Sequence, residues 1–175
     1  MFCPCRYGLG QDGAGKKGRK KSMKVDTRVF GSVEIDEQKI IRFPGGIVGF
    51  PELTEFALVH DEEQGNATPI RWLQSLQEPG FAMPVMDPLR IVPDYNPQVE
   101  DELLKPLGEF PPEEMLVLVT VTVPSDLTKM SVNLQAPLVI NAATRKAAQL
   151  IVETEKYPVK YYIYDILQSR KKEGE

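Results

Sequence analysis

Few residues in this 175-residue chain have the types and spacing that chemistry requires. The stretch GQDGAGKK sets Gly10, Gly15 and Lys16 at the spacing of a loop that cradles phosphates. Such a loop follows a buried strand and ends in a Ser or Thr that holds Mg²⁺. Here Lys17 occupies that place and no apolar run precedes Gly10, so a basic tail explains the same letters. Cys3 and Cys5 offer two thiols where a zinc site takes four ligands, and the one histidine, His60, is far along the chain. His60 beside Asp61 has the form of a general base, but no nucleophile elbow accompanies it and neither cysteine has a neighbouring group to act as its general base. Carboxylates are plentiful: Asp61, Glu62 and Glu63, then Asp94, Glu100, Asp101 and Glu102, then Glu109, Glu113 and Glu114. Paired acids hydrolyse glycosides when they face each other across a cleft. These acids fall in loops or on the polar side of an expected helix, where they are solvated or presented to a partner. The expectation is a binding protein, not an enzyme, with no cofactor and no metal.

The elements that position these residues must form in a chain of ordinary composition, 42% hydrophobic and 26% charged. No apolar run reaches the roughly 18 residues of a membrane helix, and MFCPCRYGLG lacks the apolar core of a secretory signal. A cytoplasmic location with no membrane contact is expected. The net charge of −4 is unevenly spread. Residues 1–22 carry six basic residues against Asp12 alone, so the remaining 153 residues carry −9. So acidic a body repels phosphate backbones, which excludes direct nucleic-acid binding, and it favours encounter with a basic protein.

Residues 1–22, rich in glycine and lysine, read as a flexible basic leader, with Met23 an alternative start at the head of strand-like sequence. Residues 23–160 read as one domain of short strands separated by turn residues, and 161–175 as a C-terminal extension with a charged tail. KVDTRVF and SVEID form an expected hairpin about Gly31, and MLVLVTVTV an expected central buried strand. Pro84, Pro88 and Pro93 confine GFAMPVMDPLRIVPDY to sheet edges, corners or irregular chain. Val99, Leu103, Leu104 and Leu107 have helical spacing, closed by Pro106 and Gly108. KYYIYDIL fits a strand or a helix, and Trp72 is expected in the core. The fold class is all-β: a compact antiparallel β-barrel-like domain with one or two short helices.

One strand-like segment, VNLQAPLVIN, carries a proline in its middle and three carboxamides, Asn133, Gln135 and Asn141. Pro137 cannot donate to a ladder, so the segment reads as two strand pieces joined by a bend. Val132, Leu134, Leu138 and Ile140 would point inward, while the carboxamides tie off backbone groups that the bend leaves unpaired.

Several stretches together resemble the bacterial flagellar assembly factor FliW family. They are IIRFPGGIVGFPELTEFAL, WLQSLQEPGFAMPVMDP and VTVPSDLTKMSVNLQAPLVINAATRKAAQLIV. Their patterns I-x-F-x-x-G-I-x-G-F, LQS-x-x-x-P and N-L-x-A-P-x-V-I-N occur in that order within residues 23–155. The resemblance implies a non-enzymatic protein that binds CsrA, a small basic RNA-binding regulator that blocks flagellin translation, and that also binds flagellin. It implies a feedback in which flagellin captures the protein and frees CsrA. Expected partner-binding residues are the acids Asp94, Glu100, Asp101, Glu102, Glu113 and Glu114 and the apolar loop residues Ile47 and Phe50, with Met83–Pro93 a second apolar candidate. A small-ligand-binding β-barrel, with Trp72 and the carboxamides lining a pocket, is the alternative.

Overall fold

The sheet is built outward from β7, Met115–Thr122, whose run of aliphatic and β-branched residues suits a strand covered on both faces. The computed structural model describes residues 21–60, 69–109 and 112–173. The leader through residue 20, with both cysteines and the Gly10–Lys17 stretch, lies outside the described residues, as do Asp61, Glu62 and Glu63. On one flank of β7 stand β6 (Ala82–Met86), β5 (Arg71–Ser75), β4 (Glu55–Val59) and β3 (Ile41–Arg42), in that order. On the other flank β9 (Leu138–Asn141) and β8 (Ser131–Val132) share β7, with β10 (Ala147–Gln149) beyond β9 and β11 (Tyr161–Tyr162) beyond β8. Every ladder is antiparallel.

The expected all-β class holds, but the sheet is not a closed barrel. Its two ends meet at a single parallel bridge, Arg42–Lys146, where the Arg42 N–H donates to the Arg145 carbonyl at 2.8 Å. The expected hairpin is β1 (Ser22–Thr27) with β2 (Gly31–Asp36), a separate two-stranded sheet. Val25 and Ile35 of the hairpin pack on Ala57 of β4. KYYIYDIL is both things the pattern allowed: β11 pairs with β8, Ile163 is fully buried, and α2 runs from Tyr164 to Glu173.

Segment VNLQAPLVIN is one strand interrupted. Between the Val121–Val132 and Leu118–Leu138 pairs, β7 advances three residues while its partner advances six, so three surplus residues are folded out at the bend. The Asn133 side-chain oxygen accepts from the Gln135 and Ala136 N–H groups at 3.0 and 3.2 Å, which satisfies the backbone that left the ladder. The register change sends the two halves to different cores. Val132 and Leu134 join Met86, Ile91, Val119 and Ile163, whereas Leu138 and Ile140 join Phe43, Phe56, Leu73 and Leu118. All of β9 is buried, because Val139 on its other face packs under Leu107.

Buried amides brace the rest. Gln74, 1% exposed, accepts from the Arg28 N–H and donates to the carbonyls of Ser75, Pro79 and Phe81, so it fastens the hairpin and the following turn to β5. Trp72 is half-buried on β5 and outside the core, contrary to expectation: Leu73 takes the side of the main core, and Trp72 lies on the opposite face with Gln74. Pro84 lies in an interior strand, which the prolines of this region argue against. Yet the β6–β7 ladder stops at Val85–Thr120, next to Pro84, whose nitrogen has no hydrogen to offer β7.

Tyr95 locks the bend from outside. Its hydroxyl donates to the Leu134 carbonyl at 2.7 Å, and its ring meets Tyr157 edge-on, centroids 4.7 Å apart. Burial, with a smaller contribution from Tyr157, pushes the Tyr95 phenol above its ordinary value of 10.0. The unfolded chain therefore ionises first, and stability present below pH 10.0 is lost as pH rises above it. Alkaline denaturation monitored by circular dichroism should show this loss, and Tyr95→Phe should flatten it while lowering stability at neutral pH by about 1–2 kcal/mol.

Gly46 has φ 69°, and a Cβ there would lie 2.5 Å from the Pro51 Cα. Gly46→Ala should cost more than about 2 kcal/mol in urea unfolding. Gly45→Ala, with no atom within 4 Å of the added carbon, should stay within about 0.5 kcal/mol of the parent.

Candidate partner-binding surfaces

From Asp94 to Glu114 the chain carries seven acids against Lys105 alone, a net charge of −6. Helix α1, Asp101–Leu104, and a 3-10 turn over Lys105–Leu107 replace the single longer helix expected from Val99 to Leu107. Pro106 sits in the first turn of the 3-10 piece and Gly108 ends it. The apolar side pins this segment: Leu107 is fully buried, and Val99 and Leu104 pack around it against Val139 and Leu150. Leu103 is turned outward, off the expected apolar face.

The same corner of the sheet holds the acidic segment at two points. The Asn141 side-chain amide donates to the Leu107 carbonyl at 2.8 Å, while the Ala142 N–H donates to the Glu114 carbonyl at 2.9 Å. Glu100, Asp101, Glu102 and Glu113 are exposed, and Glu114 is half-buried. Asp94 is exposed but held elsewhere, beside Tyr95 and its bond to the bend. Asp101 and Glu102 lie in the first turn of α1, where the backbone N–H groups favour negative charge. The only ion pair here among the described residues, Lys105 to Glu102 at 3.3 Å, is highly exposed and neutralises little.

The second surface is apolar. Ile47 and Phe50 exchange backbone hydrogen bonds across Val48 and Gly49, and Gly49 at φ 90° supplies the left-handed position this tight turn requires. Ile47 itself belongs to the main core and is 3% exposed, so almost none of its side chain is open to a partner. Val48 and Phe50 stand out instead, Phe50 edge-on to Phe81 with centroids 4.7 Å apart. This turn meets Met83 and Pro84 of the second apolar candidate in one groove of about 440 Å³. Thr120, Val121 and Thr122 of β7 also line it, as do Asn133, Gln135 and Ala136 of the bend, then Gln149, Ile151 and Val159. Gln149 ties the pieces together: its side-chain oxygen accepts from the Val48 N–H at 3.0 Å and its nitrogen donates to the Ala136 carbonyl at 3.4 Å.

Sequence reasoning missed Ile151 and Val159. A signal for Ile151 exists in the pattern, since Leu150 and Val152 on either side are buried and an apolar Ile151 must face the other way. Trp72 does not line the groove, so the small-ligand alternative loses the wall it relied on. His60 is exposed, and among the described residues no three His, Cys, Asp or Glu side chains gather as a metal site would require. No helix among them is long and apolar enough to cross a membrane.

Comparison with known proteins agrees with this architecture. The FliW protein family profile matches residues 24–163. The flagellar assembly factor FliW of Lachnoclostridium phytofermentans is 44% identical over 155 residues, covering 87% of this chain and 99% of that protein. The flagellar assembly factor FliW of Lachnospira eligens is 46% identical over 147 residues, covering 83% and 97% respectively. A crystal structure of the flagellar assembly factor FliW superposes with a TM-score of 0.73 at 31% identity, covering 81% of this chain and 96% of that one. With its motifs, its fold and its sequence all in agreement, the chain belongs to the FliW family of flagellar assembly factors.

Proposed function

We propose that this chain works in the cytoplasm as a partner-switching protein. It binds and antagonises the basic translational regulator CsrA, which relieves repression of flagellin translation. It also binds flagellin, so that unsecreted flagellin withdraws it from CsrA and translation stops. The observation that carries this reading is the acidic segment, −5 between residues 99 and 114, pinned by its apolar underside with Glu100, Asp101, Glu102 and Glu113 exposed. A surface of this sign attracts a basic protein and repels the RNA such a protein holds, so antagonism has an electrostatic component. Flagellin needs a different surface, because its chain-terminal segments are amphipathic and unordered before assembly and offer an apolar face.

Titration calorimetry of the full chain with purified CsrA tests the first half. Affinity should fall several-fold between about 0.05 and 0.15 M salt. Reversing Glu100, Asp101 and Glu102 together to lysine should weaken binding by roughly tenfold or more. Unchanged affinity in the triple variant would remove this segment as the contact.

A further inference from the structure

The groove between the Ile47–Phe50 turn and the β6–β7 parting differs from the rest of the surface in one respect. None of its fourteen lining residues is ionisable, in a body that carries −9 outside the leader. Four of its aliphatic and aromatic side chains project into solvent: Val48 at 58% exposure, Phe50 at 42%, Ile151 at 59% and Val159 at 60%. A small-molecule site encloses most of its ligand. Here the apolar residues form an open rim, the shape that receives one face of a longer segment. Hydrogen-bonding capacity is also left over. Among the described residues the Thr120 hydroxyl, the Gln135 amide and the Asn133 side-chain nitrogen make no hydrogen bond, and all three residues line the groove. Uncharged donors and acceptors of this kind match the backbone or amide groups of a polypeptide.

We propose that this groove docks the uncharged aliphatic face of an amphipathic polypeptide segment from a partner protein, held by apolar contact and neutral hydrogen bonds rather than by charge. The inference rests on the flagellin half of the reading above and assigns its site. It separates the two partners physically, since the groove shares no residue with the acidic segment. A segment bound here has an affinity that salt barely changes, whereas a basic partner on the acidic segment is salt-sensitive.

The test uses the full chain and purified monomeric flagellin. Ile151→Asp and Val48→Asp alter exposed side chains and should leave the thermal melt unchanged. Each should weaken flagellin binding by roughly tenfold or more, with CsrA binding unaltered. Parent affinity for flagellin should change less than about twofold between 0.05 and 0.5 M salt. Flagellin that binds the parent and both variants equally would overturn the groove assignment while leaving the partner reading intact. Flagellin that fails to bind the parent would defeat the partner reading itself. Sedimentation of the parent as a dimer that Ile151→Asp dissociates would overturn the proposal by giving the groove to a second copy of this chain.

Discussion

One flank of β7 is shared by β8 and β9, and this is possible only because three surplus residues between them are folded out of line. Pro137 lacks the N–H that would keep that stretch in the ladder, and Asn133 takes up the two N–H groups the excursion releases. Most other features hang from this bend. The register change delivers Leu134 to one core and Leu138 to the other. The Leu134 carbonyl is where Tyr95 anchors the irregular chain leading to the acidic segment. The Ala136 carbonyl is where Gln149 clamps the exposed turn. An unmatched buried carbonyl or amide costs about 1–3 kcal/mol, so the bend persists only with these partners in place.

The residues that make the family recognisable are therefore architectural. Ile41, Phe43 and Ile47 of the first motif are core, and Gly46 allows the close approach of Pro51. Gln74 and Ser75 of the second brace turns, Ser75 Oγ accepting from the Gln77 and Glu78 N–H groups. Asn133 and Asn141 of the third do the same for the bend and the acidic corner. Phe50 and the variable positions Val48 and Gln135 within the motifs line the groove instead, while the acidic segment lies between the second and third motifs.

This division explains what could be read from the sequence. Buried strands and the Pro137 bend were legible because periodicity and the missing N–H act over a few residues. The two-part helix was not, since Leu103 and Leu107 fit one helical face while Pro106 shifts the second turn to 3-10 geometry and leaves Leu103 in solvent. Ile47 looked like loop surface because it follows Pro-Gly-Gly, but the turn folds it back into the core. The groove had no local signature: its walls come from the Ile47–Phe50 turn, β6, β7, the bend and the chain after β10, and only tertiary folding assembles them. The net charge of the acidic segment was legible at once, because like charges adjacent in sequence stay adjacent on one anchored element.

On the proposed reading, two surfaces of different chemistry serve two partners. Amide hydrogen exchange of the full chain, measured free, with CsrA and with flagellin, distinguishes two surfaces from one. CsrA should slow exchange within residues 99–109 and leave 48–50 and 133–136 unchanged, and flagellin should do the reverse. Protection of the same segments by both partners would contradict this reading.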